Sequence, residues 1–477
     1  MLSEELKNLI EFVCKNKTET QTLEIKSAHN GYPGRLHDTL SSFSNQDSGG
    51  IILFGIDEEQ DFAKTGVYDP HDLQKHVTEQ CNQMTPPVRP LFTTCEEDGM
   101  TFVSAEIPAL DIAERPCFYA GKGRLAGSYV RVGDADQRMT EYEIYRYEAF
   151  RKRYQDEVMP VPQSSLRDLN EQQMAEYLHI LKENRPNLAR LDDSRVMELT
   201  GLTRDGIPTL VSLLLFGLYP QAHFPQLAVM AVAVPGTSLE ENALKEVRFL
   251  DNRRIEGTIP QMFEQSMAFL QKNMSVRTVI DQNTGRRNDR YEYPLAALRE
   301  AVLNALVHRD YSIYTLGKPI RISLYADRLE IASPGGLYGR LRVEQLGRVQ
   351  PDTRNPVLAT ALETLRLVKN RYSGIPTIRA GMKEHHLPEP LFEDFGDHFV
   401  VTLKNHVLQT VHLSQKEQEL LNFCAEPRSR LEIAAFLGLK SASYALKVYV
   451  NPLMEKGLLR MTLPDTPASP RQRYMAN

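Results

Sequence analysis

The stretch that organises this chain is Pro294-Leu-Ala-Ala-Leu-Arg-Glu300-Ala-Val-Leu-Asn304-Ala-Leu-Val-His308-Arg-Asp310-Tyr311. It predicts a helix, because Pro suits the first helical position and no Gly or Pro interrupts the residues that follow. One face carries apolar side chains at three- and four-residue steps, which are Leu295, Leu298, Val302 and Leu306. Another face aligns three polar side chains at i, i+4 and i+8, which are Glu300, Asn304 and His308.

The polar face has a pattern that can hold a water molecule and a metal ion side by side. The Glu300 carboxylate can take a proton from a water molecule, and the amide oxygen of Asn304, one turn later, is a hard ligand that suits Mg²⁺. The alternative is an amphipathic helix whose polar face is simply exposed, since this spacing is common.

The residues after this helix favour a functional site over a simply exposed polar face. Residues 319–333 alternate like two strands that meet at Ala326-Asp327, and they end in Pro334-Gly335-Gly336, where backbone can approach a ligand closely. Arg354-Asn355-Pro356 and Tyr372-Ser373-Gly374-Ile375 follow. This order of helix, hairpin and two glycine turns resembles the GHKL ATPases. Its sequence motifs resemble the ATP-binding half of the Schlafen AlbA_2 (divergent AAA-4) proteins, which are described as transcriptional regulators.

The resemblance implies an ATP site with Mg²⁺ on Asn304 and with Glu300 as the base of an ATPase. The other ATP-binding positions that it implies are His308, Ser333, Gly335, Gly336, Arg354, Asn355 and Gly374. Two positions depart from the family pattern: Ser333 stands where Asp or Asn contacts adenine, and Tyr372 replaces the first Gly of the second turn. Both changes predict weak ATP binding or turnover.

Composition sets limits on the function. The 477 residues predict three to four domains, and the net charge of −6 excludes a generally basic nucleic-acid coat, so any such binding must be local. The five cysteines are scattered without a C-x-x-C pair, which predicts reduced thiols and no zinc site. No run of 18 apolar residues exists, so we expect a soluble cytoplasmic protein that does not span a membrane.

The first 150 residues resemble the AlbA_2 domain, which is commonly assigned to nucleic-acid binding. The matching parts are the strand ending in Glu24-Ile-Lys26, the turn Ser44-Asn45 before Gly49-Gly50, the strand ending at Asp57, and Tyr129-Val-Arg131-Val-Gly133. The continuous apolar run Gly50–Ile56 predicts a central strand. Arg131 and Lys26 are the predicted nucleic-acid contacts of this domain.

Some animal Schlafen proteins are endoribonucleases that use two Glu five residues apart and a later Asp. Glu19, Glu24 and Asp57 stand at matching places, with Lys26 beside them, so the resemblance implies a catalytic site for Mg²⁺ or Mn²⁺. The alternative is that Glu24 and Lys26 form a solvated ion pair or a phosphate-contacting edge, because residues two apart on a strand face the same side.

The tail predicts a winged helix-turn-helix. Ser414-x-x-Glu417 and Ser429-x-x-Glu432 are capping boxes that open two helices, and Ser441 opens a third that runs to Val450. From residue 412 the chain has nine Lys/Arg against six Asp/Glu. Predicted DNA contacts are Ser441, Ser443, Tyr444, Lys447, Arg471 and Arg473. A protein-binding winged helix is the alternative.

The predicted fold class is an α+β multidomain protein. Its parts are an AlbA_2 domain at residues 1–155, a connecting α/β region at 166–285 after a linker near 159–165, a GHKL-like α/β sandwich at 286–405, and a winged helix at 412–477. The leading function is an ATP-binding regulator or defence protein that binds nucleic acid, with DNA favoured over RNA and a homo-oligomer as a further expectation. One alternative is a metal-dependent endonuclease of RNA or DNA, and another is a scaffold whose ATP and nuclease sites are both vestigial.

Overall fold

A computed structural model describes residues 1–240, 248–280, 287–350, 352–367, 374–405, 415–439, 441–455, 458–463, 469 and 472–476. The chain forms two compact units, Met1–Asn405 and His406–Asn477. Among the described residues, no helix combines the length and the apolar character needed to span a membrane.

The N-terminal domain is built on a four-stranded sheet. Its strands lie in the order Leu23–Lys26, Gly50–Phe54, Met100–Ile107 and Leu91–Glu97, and only the first pair is parallel. Three helices flank the sheet, Ser3–Asn16, His37–Asn45 and Pro70–Asn82. The sheet is covered on both faces, because Ile52 and Phe54 pack into one core cluster while Leu53 packs into another. The run around Gly50 is therefore apolar throughout and central, as predicted.

Short elements complete this domain. They are the strands Ile56–Asp57, Ala63–Lys64, Met84–Thr85, Phe118–Tyr119, Tyr129–Val132 and Ala135–Arg138, with helical turns Ala120–Lys122 and Gly123–Gly127. The hairpin of Tyr129–Val132 with Ala135–Arg138 leads into a helix that we call the linking helix, Glu141–Lys152. Thr140 and Glu143 close its first turn as a capping box.

The segment after the linking helix is packed, whereas the sequence predicted a free linker at 159–165. Val161 is 3% exposed and its N–H donates to the Pro208 carbonyl at 2.9 Å. Just before it, in the turn Asp156–Val158, the fully buried carboxylate of Glu157 accepts from the N–H groups of Val357 and Leu358, each at 2.8 Å. These amides open the helix Pro356–Thr364, so a side chain outside that helix satisfies its first turn.

A six-stranded sheet forms the second half of this unit. Its strand order is Asp251–Ile255, Val229–Ala233, Ile320–Leu324, Arg328–Pro334, His398–Lys404 and Leu391–Asp394. The second and third strands are parallel and all other neighbours are antiparallel. The predicted connecting region and the predicted ATP-binding region therefore share one sheet and one core rather than forming two domains. The sequence did not reveal the shared sheet, because the parallel pair joins strands that are far apart in the chain.

Helices complete an α/β sandwich against this sheet. The most important is the site helix, Leu295–His308, which begins one residue later than predicted because Pro294 is its N-cap. The apolar stripe of the site helix faces the core as predicted, with Leu298, Val302 and Leu306 buried. The remaining helices are Glu171–Asn184, Pro186–Ala189, Asp193–Leu199, Leu210–Phe216, Ile259–Asn273, Pro356–Thr364 and Gly374–Glu384. The remaining short elements are the strands Thr203–Arg204, Ile207–Pro208, Val276–Ile280 and Arg287–Tyr291 and the turns Leu166–Asp168, Pro220–Ala222 and Val343–Gln345.

The C-terminal unit combines helices with a small antiparallel sheet. The helices are Gln415–Phe423, Arg430–Phe436 and a continuous helical stretch made of Ala442–Ala445, the π-helical turn Leu446–Val450 and Asn451–Glu455. The strands lie in the order Arg428–Ser429, Arg473–Ala476 and Leu459–Met461. Ser429 and Glu432 form the predicted capping box. Ser414 of the other predicted box lies outside the described residues, and the last helical stretch continues five residues beyond the predicted end.

Candidate nucleotide site

The polar face of the site helix lines a cavity of 260 Å³. Glu300, Asn304 and His308 all border it, as their spacing predicted. The opposite walls come from Ile331 and Ser333 on the strand Arg328–Pro334 and from a segment that we call the glycine loop, residues 335–347. A helix face, a strand and a glycine loop therefore enclose one space.

Glu300 and Asn304 lie against the backbone of Gly374. Gly374 belongs to the second predicted glycine turn, residues 372–375, of which the structure describes Gly374 and Ile375. A Cβ atom at Gly374 would lie 2.9 Å from Asn304 Nδ2 and 3.1 Å from Glu300 Oε2, so a larger residue would displace this pair. Burial raises the pKa of Glu300 above its ordinary value, although the Arg299 charge opposes this. The pair is thus partly desolvated. Tyr372 and Ser373 lie outside the described residues.

The strand end at Ser333 is bound to the site helix. The Ser333 hydroxyl donates to the Ala305 carbonyl at 2.9 Å, which leaves its oxygen as an acceptor beside the cavity. Gly335 has φ +91°, and a Cβ there would lie 2.3 Å from Arg354 Nη1. Glycine is therefore required at this point by both backbone conformation and space.

Arg354 is a buried cation at the edge of the cavity. Its Nη2 donates to the Gly336 carbonyl at 2.9 Å, and its Nη1 lies 3.4 Å from Asp310 Oδ2 without a hydrogen-bond partner. A buried N–H group that lacks a hydrogen-bond acceptor beside a cavity can donate to an anionic ligand such as a phosphate oxygen.

His308 is neutral in this site. The residue borders the cavity, and desolvation by the surrounding protein together with the charge of Arg354 lowers the pKa of His308 to about 4. The imidazole can therefore offer one donor and one acceptor to a ligand at neutral pH but no positive charge.

Asn355, predicted as an ATP ligand, has a structural role instead. Its Nδ2 donates to the carbonyls of Val307 and Arg309, each at 2.8 Å, and the side chain is 1% exposed. These carbonyls belong to the end of the site helix, which has no next turn to satisfy them. Asn355 does not line the cavity.

Two contacts that the sequence did not reveal connect the cavity to the linking helix. The Tyr142 hydroxyl donates to Asp310 Oδ2 at 2.7 Å, and Arg146 Nη2 donates to the Leu337 carbonyl at 3.1 Å. Burial would raise the pKa of Asp310, but Arg354, Tyr142 and the Ser312 N–H lower it below its ordinary value. Asp310 is therefore ionised. The sequence analysis assigned no role to it, although it lies in the stretch from Pro294 to Tyr311.

The glycine loop also contacts the N-terminal domain. Arg340 Nη2 lies 3.0 Å from Asp111 Oδ1, and Arg342 Nε lies 3.2 Å from Asp47 Oδ2. These four side chains border a second cavity of 1090 Å³ between the domain, the linking helix and the loop. No pattern in the sequence could show these pairs, because their partners are more than 200 residues apart.

The N-terminal carboxylates surround an arginine rather than a metal site. Arg131 Nη2 lies 2.7 Å from Glu24 Oε2 and 3.6 Å from Glu19 Oε2, and its Nη1 lies 3.0 Å from Asp136 Oδ1. The side chain of Arg131 is 1% exposed. Arg131 is therefore a buried counter-ion, which corrects its predicted role as a nucleic-acid contact.

Asp57 does not join Glu19 and Glu24. Its carboxylate accepts from Glu59 N and Gln60 Nε2 in its own turn, at 3.0 and 2.9 Å. Lys26 pairs with Glu24, as the alternative interpretation proposed. Across the described parts of the chain, no group of three His, Cys, Asp or Glu side chains is arranged to hold a metal ion. The expected metal cluster is therefore not formed.

The predicted contacts of the C-terminal unit differ in availability. Ser443, Tyr444 and Lys447 are exposed on the last helical stretch. Ser441 caps that stretch by accepting from Tyr444 N at 3.3 Å, and Arg473 Nη1 donates to the Pro427 carbonyl at 3.0 Å. Arg471 lies outside the described residues.

Three family models match separate parts of the chain. Residues 19–140 match "Schlafen, AlbA_2". Residues 317–403 match HATPase_c_4, described as "Putative ATP-dependent DNA helicase recG C-terminal", a range that begins after the site helix. Residues 415–476 match "Filamentation induced by cAMP protein Fic-like, C-terminal domain".

Two solved structures are similar at low identity. The DIP2311 protein of Corynebacterium diphtheriae is 19% identical over 93% of this chain and 92% of its own, with a TM-score of 0.40. The N-terminal domain of a RecG-related protein from Nitrosomonas europaea is 23% identical over 28% of this chain and 93% of its own, with a TM-score of 0.23. No curated protein matches the chain. From the family models, the chain carries a Schlafen AlbA_2 region followed by an HATPase_c_4 region, as the sequence resemblance predicted.

Proposed function

We propose that this protein binds ATP with Mg²⁺ in the 260 Å³ cavity and associates with nucleic acid, DNA in particular, as a regulator. The observation that carries the proposal is the placement of Glu300 and Asn304 on one wall of this cavity, against Gly374. The HATPase_c_4 match over residues 317–403 supports the nucleotide, and the AlbA_2 match supports the nucleic acid.

The residues around the cavity fit the proposed ligands. Asn304 would hold Mg²⁺, which takes one or two protein oxygens together with phosphate oxygens and neutralises their charge. Arg354 Nη1, which has no hydrogen-bond partner, would donate to a phosphate oxygen. The Ser333 hydroxyl oxygen would accept from the adenine ring system. Glu300 would accept a proton from water at its carboxylate. The single hydroxyl at Ser333, in place of a carboxylate, leads us to expect weak binding.

Calorimetry of the full chain with ATP and Mg²⁺ tests the nucleotide part. Wild type should bind, and Asn304→Ala should bind more weakly because it loses the metal ligand. Glu300→Ala is the matched control from the same helix face, and it should retain binding while losing hydrolysis, because only the base is removed. Equal affinity of wild type and Asn304→Ala would rule out the metal role.

The nucleic-acid part rests on the AlbA_2 region and on the exposed face of the C-terminal unit, which we propose is a winged helix. Ser443, Tyr444 and Lys447 form this face. Duplex DNA, single-stranded DNA and RNA should be compared at several salt concentrations, because phosphate contacts make affinity fall with salt. A chain that retains none of the three would contradict this part of the proposal.

A further inference from the structure

The glycine loop has one face on the nucleotide cavity and the other on the N-terminal domain. Its apolar side chains Leu337, Leu341 and Leu346 line the cavity. Its arginines point to the other side, where Arg340 pairs with Asp111 and Arg342 pairs with Asp47. A displacement of the glycine loop would therefore change both the shape of the cavity and the ion pairs with the N-terminal domain.

The glycine loop is one wall of the cavity, and it packs on the main core through Leu346, Leu337 and Leu341. The other walls come from the site helix, the strand Arg328–Pro334, the helix Pro356–Thr364 and Gly374. The cavity measures 260 Å³, below the roughly 300–1,000 Å³ of most small-molecule sites. A nucleoside triphosphate that fills this cavity would therefore press against the glycine loop.

The loop is held on its outer side by the Arg146–Leu337 hydrogen bond and by two exposed ion pairs. The Arg340 and Asp111 side chains are 60% and 49% exposed, and those of Arg342 and Asp47 are 56% and 53% exposed. Ion pairs of this kind are screened by solvent and break at little cost. They can tune the position of the loop without locking it.

We propose that the glycine loop couples the nucleotide cavity to the N-terminal domain, so that a nucleotide in the cavity displaces the loop and loosens the pairs Arg340–Asp111 and Arg342–Asp47. The inference rests on the proposed binding of ATP in this cavity. Coupling between two sites is reciprocal. Breaking the pairs from the side of the N-terminal domain therefore makes nucleotide binding tighter.

The variant Asp111→Asn tests this coupling without touching the cavity. Asp111 does not line the nucleotide cavity, and its Oδ1 also accepts from Ala113 N at 2.9 Å, which the amide oxygen of Asn can replace. Calorimetry of the full chain with AMP-PNP and Mg²⁺ should show a Kd that is tighter than wild type by about two- to fivefold, the most that the loss of one exposed ion pair can give.

A double-mutant cycle shows whether Asp111 and Arg340 act on nucleotide binding through their shared contact. Arg340→Gln removes a positive charge near a triphosphate, which by simple electrostatics would weaken binding, whereas release of the loop strengthens it. Both single variants and the double variant should show the same gain, because residues that act through one contact are not additive. The matched control is Lys272→Gln, which breaks the ion pair of Lys272 with Asp251 at 2.8 Å, away from the loop.

The outcomes separate this inference from the proposed function. Wild-type binding with an unchanged Kd in Asp111→Asn would overturn the coupling and leave the nucleotide proposal standing. An equal gain in Lys272→Gln would show a general charge effect and would also overturn the coupling. A wild-type chain that does not bind AMP-PNP would overturn both.

Discussion

The Tyr142 hydroxyl donates a 2.7 Å hydrogen bond to Asp310 Oδ2 across 168 residues of sequence. Asp310 follows the site helix directly, and Arg354 lies 3.4 Å from the same carboxylate oxygen. The linking helix is therefore connected to the cavity through one buried carboxylate. The N-terminal domain and the nucleotide site are thus joined by side chains as well as by the glycine loop.

Tyr142→Phe should destabilise the protein. The variant removes a hydrogen bond to a buried ionised carboxylate, a contact worth about 1.5–3 kcal/mol. Urea unfolding should show a loss of this size. Tyr147→Phe, from the same helix, should stay within about 0.5 kcal/mol of wild type. Equal stability of both variants would mean that the Tyr142 contact contributes nothing.

ATP hydrolysis that depends on Glu300 should increase with pH in the acid range. Burial raises the pKa of Glu300, and a general base works only when it is deprotonated. The midpoint of this increase should lie above the ordinary glutamate value of 4.5. Glu300→Gln should abolish hydrolysis at every pH while binding persists. Residual hydrolysis with the same pH profile in Glu300→Gln would assign the base elsewhere.

Glu19→Gln should stabilise the protein at pH 8 and change little at pH 4. Burial, with help from the Glu24 charge, raises the pKa of Glu19 to about 7 despite the hydrogen bond from Ile25 N. Because the folded pKa exceeds the unfolded one, ionised Glu19 costs stability progressively between about pH 4.5 and 7, on the order of 3 kcal/mol at most. Melting curves across this range would reveal a flatter profile in the variant. A profile parallel to wild type would contradict the assignment.

Arg131→Met should be strongly destabilising, by about 3–5 kcal/mol, because it leaves the buried carboxylates of Glu24 and Asp136 without their counter-ion. Arg138→Met, an exposed position on the same hairpin, is the matched control. Denaturant titration distinguishes the two roles of Arg131. A surface contact to nucleic acid predicts unchanged stability and weaker binding, which would contradict the structure.

Lys447→Ala should reduce the salt dependence of duplex DNA binding. A lysine that meets a phosphate contributes about −0.9 to the slope of log affinity against log salt. Lys447→Arg retains the charge and should keep the slope. If the alanine variant has the wild-type slope, the last helical stretch does not meet the phosphate backbone.

Local periodicity predicted the site helix, because the 3.6-residue repeat fixes which side chains share a face. Glu300, Asn304 and His308 therefore appear together on the cavity as expected. The family resemblance, by contrast, gave Arg131 and Asn355 as ligand contacts, and the structure gives both a structural role. Both are buried by partners that lie far away in the sequence, and no local pattern records such partners.

Domain boundaries failed for a related reason. The strand Val229–Ala233 pairs in parallel with Ile320–Leu324, so residues assigned to a connecting region complete the sheet of the ATP-binding region. Parallel pairing needs a long crossover, and sequence alone does not say which distant strand will return beside the first. The hairpin from residue 319 to 333, by contrast, was predicted because its strands are adjacent in the chain.

The position of Glu157 sets a limit on how this protein can be divided. Its carboxylate satisfies the first backbone amides of the helix Pro356–Thr364, a helix that also borders the nucleotide cavity. A fragment that begins after Glu157 would leave those amides buried and unsatisfied, and its cavity wall would be weakened before any ligand arrives. The smallest fragment that keeps this cavity intact therefore has to begin upstream of the turn Asp156–Val158, inside what the sequence presents as a boundary.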